Sequence, residues 1–85
     1  MKQLTREQVE ALRSLPIGNL PNKLAVARKM LDVDQGTLAE AAGLSQPTIS
    51  DAEAGRPIKL PTAQAIASAL GSGVDDLFPL KEAVA

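Results

Sequence analysis

The sequence predicts an all-α protein, and three observations carry that prediction. No segment alternates apolar and polar residues with period two over the length of a strand. Apolar positions recur instead at helical spacing, most clearly Leu20, Leu24, Ala27 and Leu31. Six glycines and six prolines cut the 85-residue chain into short pieces, most of which carry a start or a stop signal. A chain of this length makes one small domain. Its five or six short helices need shared packing, because none is long enough to be stable alone.

Thr5-Arg6-Glu7-Gln8 reads as a capping box, in which the Thr hydroxyl and the Gln side chain each satisfy an orphan backbone donor. Leu4 and Val9 sit where a hydrophobic staple closes over that turn. The first helix is predicted from about Arg6 to Ser14, because Pro16 disfavours helical geometry at Leu15. Its apolar stripe is thin: Val9, Leu12 and Leu15. Asn19 is expected to cap the second helix, with Pro21 in the first turn, where its missing N–H is not needed. Asp34 caps the third helix and Gly43 stops it; Ser45 caps the fourth and Gly55 ends it. Pro61 opens the fifth, with Ile66, Ala67 and Leu70 facing inward, and Gly71 closes it. A last short turn holds Val74, Leu77 and Phe78 before Pro79. Ala39, Ala42, Ala52, Ala63 and Ala67 let these helices approach closely.

Composition narrows the chemistry. With no Cys and no His, there is no thiol nucleophile, disulfide, thiolate or imidazole metal site, and no imidazole acid–base. No Trp, no Tyr and a single aromatic residue, Phe78, exclude a platform for stacking single-stranded bases. No carboxylates pair convincingly, and no nucleophile stands beside a base. The expectation is therefore a protein with no catalytic residue, no metal and no cofactor. The opening residues Met1 to Thr5 lead into no apolar run, and no stretch approaches the ~20 apolar residues of a membrane span. A cytoplasmic protein with no membrane partner is expected.

The informative stretch runs from Gln35 to Ala54. Two short helices meet there at a tight glycine turn, the arrangement of a helix-turn-helix. Ala39 is small where the second helix crosses close above the first, and Gly43 takes the left-handed conformation of the turn. Leu38, Ala42, Leu44, Ile49 and Ala52 supply the apolar positions where the two helices pack. At about 100° per residue, Gln46, Pro47, Ser50, Asp51 and Ala54 fall within one arc of about 140°. Ile49, Ala52 and Glu53 lie on the other side. The second helix thus has a polar outer face and a packing inner face.

Leu38-Ala39-Glu40-Ala41-Ala42-Gly43-Leu44-Ser45-Gln46, Ile49-Ser50-Asp51-Ala52-Glu53-Ala54-Gly55 and Ala67-Ser68-Ala69-Leu70-Gly71 with Asp76-Leu77-Phe78 go further. With these motifs the chain resembles the lambda-repressor-like, Cro/Xre-type helix-turn-helix family of DNA-binding regulators, over roughly Leu20 to Phe78. The resemblance implies a five-helix domain, here with an extra N-terminal helix, whose helix 46–54 lies in the major groove. Gln46 ranks first as a base reader: its amide can pair with adenine N6 and N7, and its family counterpart commonly reads a base. Thr48, near the edge of the arc, can touch phosphate or a thymine methyl, and Ser50 offers a short hydroxyl. Asp51 faces DNA as an acid, either accepting from cytosine N4 or staying solvated at the groove's rim. Pro47 packs on sugar or a methyl group, where the family often has a polar reader. For Gln35 the resemblance implies a phosphate contact at a helix N-terminus. Arg56 and Lys59 are the expected cationic phosphate clamps. Arg28 and Glu53 match family positions that form a partly buried, structural ion pair.

The formal net charge of −1 hides a strong asymmetry. Residues 1–31 carry six bases against two acids, residues 32–55 carry five acids and no base, and residues 56–85 balance three against three. An acidic helix-turn-helix is awkward for a polyanion, so few ionic contacts and a shallow salt dependence are expected. The leading functional expectation is a sequence-specific double-stranded DNA-binding transcription regulator, a repressor that binds a palindromic operator as a homodimer. Its half-sites would lie about 34 Å apart. The alternative is an antitoxin or partner-binding adaptor with autoregulatory DNA binding and a toxin or anti-repressor as protein partner. The chain divides into an N-terminal helix and linker (1–19), a helix-turn-helix domain (20–79) and a C-terminal tail (80–85). Val74 to Val84 and the N-terminal helix are the candidate dimer surfaces.

Overall fold

The computed structural model describes residues 1–78, and every regular element among them is a helix. In chain order these are α1 (Arg6–Ser14), α2 (Leu24–Met30), α3 (Gln35–Ala42), α4 (Gln46–Glu53), α5 (Leu60–Leu70) and α6 (Val74–Leu77). The tail at 80–85, and the candidate dimer surface beyond Phe78, lie outside the described residues.

The starts and stops are local chemistry. Thr5 and Gln8 close the capping box at α1, the Thr5 hydroxyl accepting from Gln8 N–H at 3.1 Å while Gln8 Oε1 accepts from Thr5 N–H at 2.9 Å. Asp34 caps α3 by accepting from Thr37 N–H at 2.7 Å, and Ser45 caps α4 by accepting from Thr48 N–H at 3.3 Å. Gly43 and Gly55, both at positive φ, turn the chain out of α3 and α4.

The second helix differs from the expectation. Asn19 does not cap it and Pro21 is not in its first turn; α2 begins four residues after Leu20, at Leu24. The physical reason lies in Asn22. Its side-chain Oδ1 accepts from Leu24 N–H at 2.9 Å, and its Nδ2 donates to the Ala52 carbonyl at 2.6 Å. A buried amide thus starts α2 and grips the end of α4 at once. Leu20, expected on the apolar face, is left exposed, while Leu24 and Ala27 are completely buried.

One core unites all six helices. Leu12 of α1, Leu24 of α2, Leu38 of α3, Ile49 of α4, Ile66 and Leu70 of α5 and Leu77 of α6 are its fully buried side chains. Burying each contributes on the order of 1.5–3 kcal/mol. The thin stripe of α1 is taken up internally: Leu12 is in the core, Val9 packs against it, and Leu15 is exposed. No helix among the described residues is long and apolar enough to cross a membrane.

Candidate nucleic-acid interface

Helices α3 and α4 are joined by Gly43, Leu44 and Ser45. Gly43 has φ +70°, and Leu44 N–H donates back to the Ala39 carbonyl at 2.8 Å. Ala39 is buried at the crossing. On α4, Ile49 and Ala52 are buried against the core, while Gln46, Pro47, Ser50 and Asp51 are exposed. Proline at the second helical position costs nothing, since that N–H has no partner inside the helix. The polar face is thereby held on a fixed apolar base.

Gln46, Pro47, Ser50 and Asp51 line a shallow concavity together with Gln35 from α3. Thr48 stands apart from it, half-buried, its hydroxyl hydrogen-bonded to the Ser45 hydroxyl at 2.7 Å. Arg56 and Lys59 are exposed in the segment after α4, Lys59 being the residue that precedes α5.

Several of these groups are already engaged. Gln35 Nε2 donates to Glu53 Oε1 at 3.3 Å. Asp34 occupies the start of α3, where the N–H of Thr37 holds its carboxyl below the usual carboxylate range. The chain's own carboxylate therefore fills the position at which that helix end would attract an anion, and Gln35 has its side-chain amide to offer. Arg56 Nη1 donates to Asp51 Oδ1 at 2.9 Å, pairing two residues that the sequence treats separately.

The support behind the face is polar. Arg28 Nε donates to Glu53 Oε2 at 2.7 Å and Nη2 to Oε1 at 3.1 Å, a two-pronged pair with both side chains largely buried. Arg28 Nη1 also donates to the Val33 carbonyl at 2.9 Å, tying the loop before α3 to the same pair. Asn22 is the supporting residue that sequence reasoning missed. Its signal was an Asn two residues before the helix start, in reach of a backbone N–H.

Two short helices joined by a three-residue turn, the second offering an exposed polar face, define a helix-turn-helix DNA-binding domain. A family model described as helix-turn-helix matches residues 24–77, and the chain belongs to this Cro/Xre-type family of DNA-binding transcription regulators. A search of curated proteins and a search of solved structures each gave no match.

Proposed function

We propose that the protein is a sequence-specific repressor that binds a palindromic operator as a homodimer, with α4 in the major groove. The observation that carries this is the exposed arc of Gln46, Pro47, Ser50 and Asp51 on a helix anchored by buried Ile49 and Ala52. Gln46, at the N-terminal end, is the principal base reader, pairing with adenine N6 and N7. Pro47 and Thr48 supply apolar contacts to sugars and thymine methyls, and Ser50 and Asp51 complete the base-facing set. Gln35, Arg56 and Lys59 hold phosphates. Pairing two copies doubles the contact area of a small module and selects half-sites one helical turn apart.

Selection of bound sequences from random DNA tests this, with the wild type beside Gln46→Ala. A two-fold symmetric motif is expected for the wild type, and Gln46→Ala should lose preference at one base in each half-site. Lys59→Ala should instead weaken all sequences about equally. No enriched motif rejects the repressor, and an unchanged motif in Gln46→Ala rejects its assignment as reader.

The absence of any base between residues 32 and 55 supports a second reading, an antitoxin or adaptor whose acidic face binds a basic protein. That reading expects a basic partner to bind in competition with DNA.

A further inference from the structure

Asp51 and Arg56 form a closed pair on the side of the molecule assigned to DNA. Arg56 Nη1 lies 2.9 Å from Asp51 Oδ1, with 71% and 51% of the two side chains exposed. The end of α4 itself brings them together. Gly55 reverses the chain at φ +84°, and Arg56 N–H donates to the Asp51 carbonyl at 3.1 Å. Backbone and side chains are thus bonded between the same two residues. An ion pair this exposed adds little to folding. Its position gives it an electrostatic effect instead.

Arg56 is the first cation after a 24-residue stretch that contains five acids and no base. Alone, its guanidinium attracts any duplex, whatever the sequence, and Asp51 alone repels any duplex. Paired, the two cancel. We infer that Asp51 is a specificity-determining residue acting through Arg56: it masks the guanidinium until a base supplies the carboxylate with another donor. A cytosine N4 amino group is such a donor. At the correct step Asp51 turns to the base and Arg56 is released to a phosphate. On other sequences the pair stays closed, and that phosphate contact is withheld. The inference rests on the DNA-reading function proposed above and adds how its site discriminates.

The test is binding to a random-sequence duplex over a salt series, for the wild type, Asp51→Asn, Arg56→Gln and the double variant. Asp51→Asn frees Arg56 for one phosphate, so its salt slope should steepen by about 0.9. Between about 50 and 200 mM salt its affinity should then fall about 3.5-fold further than that of the wild type. In the Arg56→Gln background the same substitution should leave the slope nearly unchanged. The wild type should show the steeper slope on its selected site and the shallower one on random DNA. An unchanged slope in Asp51→Asn overturns the inference. So does equal steepening with and without Arg56, which reduces Asp51 to simple repulsion. A wild type that selects no motif rejects the DNA-reading function, whatever the slopes on random DNA.

Discussion

Arg28 ties three segments with one guanidinium: α2, on which it sits, the loop carbonyl of Val33, and Glu53 at the end of α4. Its own side chain is 14% exposed and that of Glu53 11%, so neither charge has water as a ready substitute. Glu53→Ala should therefore destabilise the fold by about 3 kcal/mol, because it strands a largely buried cation. Replacing both partners, as in Arg28→Met with Glu53→Leu, should cost less than the single change. Urea unfolding of the wild type and the two variants checks this; equal losses in the single and double variants would mean that packing, not stranded charge, sets the cost. The two residues were legible as a pair only through the family resemblance, whose matching positions form such a pair. Asp51 and Arg56 were not. Segment charges count them in different blocks, and only the turn at Gly55 folds one back over the other.

Among the elements, the glycine-ended helices separate two costs that usually come mixed. Gly43 has φ +70°, and a Cβ there would have nothing within 4 Å, so Gly43→Ala bears only the left-handed backbone strain, about 1 kcal/mol. Gly55 has φ +84° and a Cβ there would lie 2.6 Å from Pro21 Cβ. Gly55→Ala should thus lower the thermal midpoint clearly more than Gly43→Ala, by calorimetry on the two variants. Equal shifts would show that Pro21 yields freely. The caps at Thr5, Asp34 and Ser45 were legible because each acts within three residues. The start of α2 was not, because the amide of Asn22 that accepts from Leu24 N–H is held in place by its bond to Ala52, thirty residues away. Local pattern favoured Asn19 and Pro21 equally well. The end of α2 was also silent: Asp32 takes φ +54° where α3, α4 and α5 use glycine. Of the candidate interface, the exposed arc followed from helical period alone, whereas the occupied state of Gln35 and Arg56 depended on neighbours from other segments.

Across the whole molecule, the N-terminal segment closes the core although the family match begins only at residue 24. Leu4 N–H donates to the Leu70 carbonyl at 2.7 Å, Gln3 Nε2 to the Ser68 carbonyl at 2.9 Å, and Leu4 and Leu12 are buried. Lys23 Nζ donates to the Leu12 carbonyl at 2.7 Å, capping the last turn of α1. Arg13 then reaches α6, pairing with Asp76, whose carboxylate also accepts from Gly73 N–H at 2.8 Å. The Asp76 side chain is only 3% exposed, and the Arg13 guanidinium beside it holds its carboxyl below the ordinary carboxylate range. A carboxylate depressed in the folded state stabilises the fold fully above its unfolded value of about 3.9, and that stabilisation is lost as pH falls through the folded value. Arg13→Ala leaves the buried carboxylate without its cation, which moves its folded value upward. Acid unfolding of Arg13→Ala should therefore begin at higher pH than that of the wild type. Asp76→Asn, having no proton to take up there, should show a flatter loss of stability below about pH 4. Thermal midpoints measured from neutral pH into the acid range check both. If Arg13→Ala follows the wild-type acid limb, the pair between α1 and α6 is not what couples the N-terminal segment to the stability of the DNA-binding core.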